Sequence, residues 1–440
     1  MRYHTRPAAS PLSGLIRVPG DKSISHRAVI FAAMAEGTSH LTGVLDSADV
    51  RSTMSAVSAL GAAVEIVSES SEGSEGLEVV VHGWGADGPV EPIGAIDCGN
   101  SGTTIRLLLG VLAGWGIHAV LTGDESLCQR PMRRVTAPLA ELGARVETAE
   151  NGCAPVGIRG GELLATSFEL PIASAQVKSA LLLAGTRASG VTKVCEPAPS
   201  RDHTERMLPG FGIEVVREGL CASVSGPVIA QATDIAVPAD PSSAAFLVGA
   251  ALLVPGSDVT LPAVSLNPTR IGFLRVLARM GANLDITAGP DVCGEPTGDV
   301  RVRYTASLTG TTITAEEVPS LIDEVPLLAI VATAAVGTTE FQGVGELRVK
   351  ESDRLTAIAD AVNALSGGAA VTDDTLVVTG GHPLEGTTLD SLGDHRLAMS
   401  YAVAGLAAEG ETVIDRFEAV DVSYPGFAGD LKALLESALG

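Results

Sequence analysis

The sequence has few aromatic residues, few positive charges and no long apolar run. Phe, Trp and Tyr make up 3% of the 440 residues although 46% are hydrophobic, so the cores must be built from Ala, Val, Leu and Ile. The 29 Lys and Arg residues face 52 Asp and Glu residues, and the formal net charge of −23 argues against nucleic acid or an anionic membrane as a partner. A small anionic substrate is compatible with this balance, because it feels only the local field of a cleft.

Cysteine usage and the short apolar runs point to a cytoplasmic protein. No two cysteines have C-x-x-C spacing and none has matching histidines, which argues against a zinc site and against a disulfide framework. The first residues lack the apolar core of a signal peptide. The longest apolar runs, such as 244–254, are well short of the ~20 residues that span a bilayer. The six cysteines are Cys98, Cys128, Cys153, Cys195, Cys221 and Cys293.

At 440 residues the chain is too long for one ordinary core, and an internal repeat indicates how it divides. Six predicted helices share a start of small or polar residues, an Ala- and Leu-rich body and a following β-like run, so each unit is roughly βαβαββ. We predict an α/β protein with three units in each half rather than an open solenoid, whose repeats are usually shorter. The second half begins near 238–241. The six starts lie near Gly20, Cys98, Ala173, Asp240, Asp323 and Gly393.

Shorter patterns predict where individual elements begin and end. A glycine after the last apolar turn, at Gly61, Gly143 and Gly281, marks the end of a second helix in several units. The segments 77–82 and 299–304 have the apolar pattern of strands.

Two segments at the edges of this pattern carry separate predictions. The segment 15–19 is expected to form a short strand that belongs with the C-terminal half, since the first helix opens close to the N-terminus. The Ser-, Glu- and Gly-rich segment 68–76 is expected to be a mobile surface hairpin.

The first helix start has the composition of an anion site. Lys22, Ser23 and Arg27 lie within its first turns, where unpaired backbone N–H groups and the helix dipole favour negative charge. Arginines recur in the loops 123–134, 196–204 and 348–354, and their forked donors suit phosphate and carboxylate. The alternative is a capped helix with solvated basic residues.

Two carboxylates and one histidine are candidates for proton transfer. Asp323 opens an apolar helix, and Glu351 has basic neighbours that could tune its pKa. The alternatives are ordinary N-capping by Asp323 and a surface ion pair for Glu351. His395 follows a helix start and could be a base, or could only cap or pack.

Seven sequence runs spread over nearly the whole chain resemble the 5-enolpyruvylshikimate-3-phosphate (EPSP) synthase family. The resemblance implies two domains, each an inside-out α/β barrel of three βαβαββ units, with substrates bound between domains that close. It implies that the domains span 22–238 and 1–21 plus 239–440, with crossover strands near 19–22 and 236–241. The runs are PGDKSISHR at 19–27, GNSGTTIR at 99–106, RPM at 130–132, SAQVKSALLL at 174–183, SRDHTER at 200–206, RVKESDRL at 348–355 and DHRLAM at 394–399.

The implied reaction moves the enolpyruvyl group of phosphoenolpyruvate to the 5-hydroxyl of shikimate 3-phosphate and releases phosphate. The resemblance implies no metal and no organic cofactor, and a monomer as the oligomeric state. It implies that Asp323 takes the hydroxyl proton, while Glu351 and Lys22 protonate and deprotonate the enolpyruvyl carbon. This order is chemically reasonable, because a neutral alcohol needs a base and the alkene needs an acid to become electrophilic.

The resemblance also implies which residues hold each substrate. Those for shikimate 3-phosphate are Lys22, Ser23, Arg27, Ser174, Gln176, Ser200, Asp323 and Lys350. Those for phosphoenolpyruvate are Lys22, Asn100, Gly102, Arg130, Gln176, Arg354 and Arg396.

Four positions depart from patterns found in other members of the family. Val422 stands where many members have a lysine that reaches the phosphate of phosphoenolpyruvate. Ala175 replaces a second serine of some members, Glu346 stands where some have Asn, and Leu107 stands where enteric-type members have Pro.

Two other functions are weighed against this one. The UDP-N-acetylglucosamine enolpyruvyl transferases share the fold and the donor, but their opening motif has Lys-Asn where this chain has Lys22 and Ser23. A non-catalytic repeat scaffold that presents anion-binding helix ends would show no turnover and would not need Asp323 or Glu351.

Overall fold

The computed structural model describes residues 1–69 and 76–437 and shows a mixed α/β fold with many small sheets. Over these residues the helices are α1 (Lys22–Met34), α2 (Ala48–Ala59), α3 (Gly102–Leu112), α4 (Arg133–Leu142), α5 (Ala175–Gly185), α6 (His203–Met207), α7 (Pro241–Leu253), α8 (Gly272–Arg279), α9 (Val325–Thr333), α10 (Arg354–Ala364), α11 (His395–Ala407) and α12 (Phe427–Glu436). The strands are β1 (Arg2–Thr5), β2 (Ser13–Leu15), β3 (Thr38–Val44), β4 (Ala63–Glu69), β5 (Leu77–His82), β6 (Ile96–Asp97), β7 (His118–Thr122), β8 (Arg145–Thr148), β9 (Val156–Arg159), β10 (Ser167–Glu169), β11 (Gly190–Cys195), β12 (Val215–Glu218), β13 (Cys221–Gly226), β14 (Ile235–Ala236), β15 (Asp258–Ser265), β16 (Asn283–Ala288), β17 (Thr297–Arg303), β18 (Thr312–Ile313), β19 (Thr338–Phe341), β20 (Gly368–Thr372), β21 (Thr375–Thr379), β22 (Thr388–Asp390) and β23 (Thr412–Asp415).

The five four-stranded sheets of the described residues share one pattern of strand pairing. In the order β6-β7-β9-β8, the edge strand β6 is parallel to β7, and the other neighbours are antiparallel. The same arrangement recurs in β10-β11-β13-β12 and β18-β19-β21-β20. In two further sheets the parallel edge strand comes from elsewhere in the chain: β14 pairs with β3, and β2 pairs with β15. In the described residues a sixth sheet has three strands, in the order β1-β23-β22.

The predicted strand positions are confirmed with one displacement. Strands β5 and β17 cover the segments predicted at 77–82 and 299–304 to within two residues. The predicted N-terminal strand does lie with the C-terminal half, through its pairing with β15, but it occupies Ser13–Leu15 rather than 15–19. The hairpin predicted at 68–76 has its tip, 70–75, outside the described residues, although β4 and β5 pair on either side of it.

Apolar side chains form two separate buried clusters. One contains residues between Ile24 and Val237, and the other contains Leu12, Val18 and residues between Ala239 and Leu434. The helices at the six predicted starts supply much of both clusters, and α7 and α9 are buried along almost their whole length. Such helices need apolar residues on every side, which explains their Ala- and Leu-rich composition.

The six predicted helix starts are confirmed to within about four residues, and the capping explains most of them. Side chains of Asp21, Ser101, Ser174, Asp240 and Asp394 accept backbone N–H groups of the first turn of their helices. The fifth start differs, because a 3₁₀ turn at Ile322–Glu324 precedes α9. The residue before α9 is therefore Glu324, and the alternative in which Asp323 only caps the helix is wrong.

The expectation of no disulfide framework is corrected at one pair of cysteines. Cys195 and Cys221 face each other at the ends of the antiparallel strands β11 and β13 and are joined by a disulfide. They are 26 residues apart in sequence, so only the strand pairing brings them together. In the part of the chain that the structure describes, no helix is both long and apolar enough to cross a bilayer, and no group of three or more His, Cys, Asp or Glu residues could hold a metal ion.

Candidate active site

Two adjoining cavities collect most of the residues singled out in the sequence. The larger, of about 590 Å³, is lined by the predicted shikimate 3-phosphate residues other than Lys22. The smaller, of about 150 Å³, is lined by Lys22, Asp323, Glu351 and Arg396. Residues that line both are Ser23, Thr103, Arg201 and Asp323.

The start of α1 lies between the two halves of the chain. Asp21 caps the helix through the backbone N–H of Ile24 at 2.9 Å, and the backbone N–H of Lys22 donates to Asp240 at 3.2 Å. The ammonium group of Lys22 pairs with Asp49 of α2 at 2.5 Å. Asp49 carries no motif signal in the sequence, and only the packing of α2 against α1 reveals it as the partner of Lys22.

Arg27 is held by three hydrogen bonds at the wall of the larger cavity. Its guanidinium donates to Thr204 Oγ1 at 2.8 Å, to Ser179 Oγ at 3.0 Å and to the Ser23 carbonyl at 2.9 Å. The side chain is buried, and burial lowers the pKa of Arg27 to about 10, which leaves it charged at neutral pH. Among the residues that the structure describes, no carboxylate lies within ion-pair distance of Arg27, and such a buried cation is well suited to bind an anionic ligand.

The start of α3 gathers a second group of arginines. Arg130 donates to Asn100 Oδ1 at 2.8 Å, and Arg106 donates to Gln176 Oε1 at 2.6 Å. A Cβ atom added at Gly102 would lie 2.8 Å from Arg106 Nη1 and 3.4 Å from Arg130 Nη1. Burial, and then the nearby charge of Arg130, lowers the pKa of Arg106 to about 10. Guanidinium groups this close favour an anion between them.

Asp323 lies at the centre of a cluster of cations. It accepts a hydrogen bond from Arg201, and it lies 3.3 Å from Arg354 Nη1 and 3.6 Å from Arg396 Nη2. Burial alone would raise the pKa of Asp323, but the charges of Arg396, Arg201, Lys350 and Arg354 outweigh it and hold the pKa well below its usual range. The carboxylate is therefore ionised.

Glu351 shares Arg354 with two aspartates. Its carboxylate lies 2.6 Å from Arg354 Nη2, and the same guanidinium donates to Asp394 at 2.7 Å and lies 3.3 Å from Asp323. Partial burial opposes ionisation, yet the charge of Arg354 lowers the pKa of Glu351 to about 2. Arg354 is 1% exposed, so the ion pair of Glu351 is not the simple surface pair that the alternative supposed.

His395 is neutral in this environment. Burial, followed by the charge of Arg396, lowers the pKa of His395 to about 3. The cap of α11 is Asp394, and His395 is the first residue of the helix behind it, on the wall of the smaller cavity.

The structure brings together some predicted residues and leaves others apart. Asn100, Gly102, Arg130 and Arg354 line neither cavity, although the first three form one group at the start of α3. Sequence reasoning passed over three residues at or beside the cavities. These residues are Asp49, Arg106 and Arg201. Arg106 and Arg201 lie inside runs that carry the family resemblance, so the sequence did contain a signal for them.

The departures from the family pattern have different surroundings. Leu107 is wholly buried in α3, and Glu346 pairs with Lys350 at 3.2 Å at the rim of the larger cavity. Val422 ends a 3₁₀ turn and lines neither cavity, whereas its neighbour Ser423 lines the smaller one.

Solved structures with the same fold define the class of protein. An EPSP synthase from Acinetobacter baumannii superposes with a TM-score of 0.89 at 41% identity, covering 99% of this chain and 98% of the other. The enolpyruvyl transferase NikO from Streptomyces tendae superposes with a TM-score of 0.79 at 18% identity, covering 98% and 97%, and at that identity it speaks for the fold alone. The chain thus has the fold of the enolpyruvyl transferases.

Sequence comparison narrows this class to one family. The family model for EPSP synthase (3-phosphoshikimate 1-carboxyvinyltransferase) matches residues 7–431. The 3-phosphoshikimate 1-carboxyvinyltransferase of Shouchella clausii is 49% identical over 428 residues, 97% of either chain, and that of Halorhodospira halophila is 50% identical over 424 residues, 96% of this chain and 94% of the other. The chain belongs to the EPSP synthase family.

Proposed function

We propose that the protein transfers the enolpyruvyl group of phosphoenolpyruvate to the 5-hydroxyl of shikimate 3-phosphate and releases phosphate, a step of the shikimate pathway of aromatic amino acid biosynthesis. The observation that carries the proposal is the ionised Asp323, which lines both cavities among cations. A carboxylate at the junction of two anion-binding cavities is placed to deprotonate a hydroxyl of one substrate next to the other.

Asp323 acts as the base toward the 5-hydroxyl. Its pKa is depressed by Arg396, Arg201 and Arg354. Phosphate and carboxylate groups of the substrates compete for these same cations. Their binding raises the proton affinity of Asp323 at the moment when a proton must be taken, which makes the carboxylate a stronger base in the complex than in the free protein.

Glu351 and Lys22 handle the proton at the enolpyruvyl carbon. Both line the smaller cavity together with Asp323. The pKa of Glu351 is low because of the charge of Arg354. A substrate carboxylate bound by Arg354 and Arg396 weakens that ion pair, so Glu351 gains the proton that an acid needs.

Each substrate is assigned to a different group of residues around the two cavities. Residues of the larger cavity hold shikimate 3-phosphate, with Arg27 and the two serines Ser174 and Ser200 toward its phosphate. The arginine group at the start of α3, with Arg396 and Lys22, holds phosphoenolpyruvate. The proposed binding residues for shikimate 3-phosphate are Lys22, Ser23, Arg27, Ser174, Gln176, Ser200, Asp323 and Lys350. Those for phosphoenolpyruvate are Lys22, Asn100, Gly102, Arg130, Gln176, Arg354 and Arg396.

The finer architecture belongs to the same proposal. We place the domains at 22–238 and at 1–21 plus 239–440, each an inside-out barrel of three βαβαββ units. Support comes from the two buried clusters and from backbone hydrogen bonds between the crossover segments, Asp21 N–H to Pro238 O and Asp240 N–H to Pro19 O, both 2.8 Å. A cytoplasmic location and a monomeric state remain predictions.

The test is phosphate release from phosphoenolpyruvate with and without shikimate 3-phosphate. We expect release to depend on shikimate 3-phosphate and to fall by about 10²–10⁴-fold in Asp323→Asn, which keeps the shape of the side chain but removes the base. The matched control is Asp285→Asn, which breaks an exposed ion pair with Arg303 at 2.7 Å in strands that line neither cavity and should keep nearly full activity.

Other outcomes would overturn the proposal in different ways. Release with UDP-N-acetylglucosamine, but none with shikimate 3-phosphate, would make the chain a UDP-N-acetylglucosamine enolpyruvyl transferase. No release with either acceptor would favour the non-catalytic scaffold. Full activity of Asp323→Asn would leave the reaction standing and remove Asp323 as its base.

A further inference from the structure

We infer that Glu196 is a positioning residue that sets the phosphate pocket for shikimate 3-phosphate by holding Ser174 and Ser200 in place from behind the cavity wall. The inference rests on the proposed function, because it assigns the support of a subsite for that substrate. Glu196 lies outside all seven runs that carry the family resemblance.

The carboxylate of Glu196 joins two segments that are separate in the chain. Its Oε1 accepts the backbone N–H of Ser174 at 2.8 Å, and its Oε2 accepts the hydroxyl of Ser200 at 2.8 Å. Ser174 caps α5, whereas Ser200 lies in the loop that follows β11. Both serines line the larger cavity, but Glu196 does not. Glu196 therefore acts through the serines and does not touch the ligand.

Lys178 neutralises part of the charge of Glu196. Lys178 lies 2.6 Å from Glu196 Oε2 and 2.8 Å from Glu205 Oε1, and all three side chains are buried. An isolated carboxylate behind a phosphate pocket would repel the ligand, and the ion pair with Lys178, which Glu196 shares with Glu205, reduces that repulsion. The pair also prevents Glu196 from moving, so the two serines are fixed relative to each other before the substrate arrives.

Preorganisation is what a phosphate pocket requires. Groups that must meet three phosphate oxygens need to be held within about 0.5 Å of their working positions by supporting hydrogen bonds, and the Ser200 hydroxyl then turns its one proton from Glu196 to the phosphate. Loss of the Glu196 carboxylate frees the loop of Ser200 from the cap of α5. The cost then appears in the binding of the phosphate group, and not in the proton transfers at Asp323.

The chain offers a matched pair of variants for the test. Glu196→Gln and Glu205→Gln each remove one of the two carboxylates that contact Lys178, but only Glu196 also contacts the serines. Steady-state kinetics would vary each substrate at saturation of the other. Calorimetry would measure the dissociation constants of shikimate 3-phosphate and of shikimate, which lacks the phosphate group.

We expect a selective loss in Glu196→Gln. KM and Kd for shikimate 3-phosphate should rise about tenfold or more, with KM for phosphoenolpyruvate and kcat within about twofold of wild type and with no change in the Kd for shikimate. Glu205→Gln should leave all these constants within about twofold. If Glu196→Gln fails to fold, Glu196→Asp keeps the charge but shortens the reach by one methylene group, and it should show the same selective rise.

Three results would overturn the inference. Equal effects of Glu196→Gln and Glu205→Gln would show that only the ion pair with Lys178 matters. Equal losses for shikimate and shikimate 3-phosphate would show that Glu196 does not act on the phosphate pocket. A lower KM for shikimate 3-phosphate would show that Glu196 competes with the phosphate for the Ser200 proton. Failure of the proposed function is distinct, since the wild type itself would then not turn over shikimate 3-phosphate.

Discussion

At the scale of single residues, one added carbon atom at Gly102 should change substrate binding. In Gly102→Ala the new Cβ would meet Arg106 Nη1 at 2.8 Å, so the guanidinium has to move and its bond to Gln176 is disturbed. We expect KM for phosphoenolpyruvate to rise about tenfold. KM for shikimate 3-phosphate should change less. Steady-state kinetics with each substrate varied in turn measures both effects.

The control for this change is another glycine in open space. Apart from its chain neighbours, a Cβ atom at Gly116 would meet no heavy atom of the described residues within 4 Å, so Gly116→Ala should leave both KM values unchanged. Unchanged kinetics in Gly102→Ala as well would show that the arginine group at the start of α3 takes no part in binding phosphoenolpyruvate.

The buried His26 should make the folded protein less stable in mild acid. Burial, and then the charge of Lys22, lowers the pKa of His26 from 6.5 to about 3, so the ring stays neutral in the folded protein at pH 5. In the unfolded chain the His26 ring takes up a proton below about pH 6.5. This proton uptake lowers the free energy of unfolding by about 2 kcal/mol at pH 5, and the effect becomes larger down to pH 3. In His26→Asn the loss of unfolding free energy between pH 7 and pH 5 should be smaller than in wild type by about that amount. Urea denaturation at the two pH values measures this difference.

An exposed histidine provides the comparison. His382 lies in solvent, and its ring is in water in both the folded and the unfolded state. His382→Asn should therefore reproduce the wild-type loss between pH 7 and pH 5. If His26→Asn also reproduces it, the ring of His26 is charged in the folded protein.

At the scale of elements, the N-caps of α1 and α2 should differ in their contribution to stability. Asp21 caps α1 and also lies 2.8 Å from the buried Arg270, whereas the side chain of Ser47 caps α2 and, being uncharged, has no ion-pair partner. We expect Ser47→Ala to lower the free energy of unfolding by about 1 kcal/mol. Asp21→Ala should cost about 3–5 kcal/mol, because Arg270 loses a buried carboxylate partner. Urea denaturation followed by circular dichroism measures both.

A third variant separates the cap from the ion pair. Asp21→Asn keeps an oxygen for the N–H of Ile24 but loses the charge toward Arg270, so its cost should approach that of Asp21→Ala. A cost near that of Ser47→Ala would instead show that Arg270 is stabilised sufficiently by Asp240, at 3.1 Å, and by Ser242.

Helix positions were predictable at this scale because their signals are local. Asp21, Ser174 and Asp394 each lie next to the N–H groups that they cap, and Gly143 and Gly281 have the positive φ that ends a helix. The prediction at Asp323 named a helix start but missed the 3₁₀ turn before α9. That turn presents the Asp323 carboxylate to cations from distant segments.

At the scale of the whole molecule, the two buried clusters should unfold as separate units. Both tryptophans of the chain, Trp84 and Trp115, lie within 22–238, so tryptophan fluorescence reports only that part. Leu247→Ala, in the cluster of the second half, should cost about 2–5 kcal/mol there. We expect it to shift part of the circular dichroism transition in urea and to leave the fluorescence midpoint unchanged.

The matched variant lies in the other cluster. Leu181 of α5 is equally buried, and Leu181→Ala should move the fluorescence midpoint to lower urea. A shift of the fluorescence midpoint by Leu247→Ala would show that the halves unfold together, which the contacts of Arg270 with Asp21 and Asp240 would then explain.

The sequence by itself determined the α/β class, the six helix starts, the family and most of the residues around the two cavities. These follow from short-range signals: a capping side chain, an apolar body, a glycine stop and motif runs of three to ten residues. Only the tertiary structure decided that Asp323 meets Arg201, 122 residues earlier, that Lys22 pairs with Asp49, and that Cys195 joins Cys221. Contacts of this kind depend on how distant elements pack, and no local pattern encodes which helix ends converge on the same cleft.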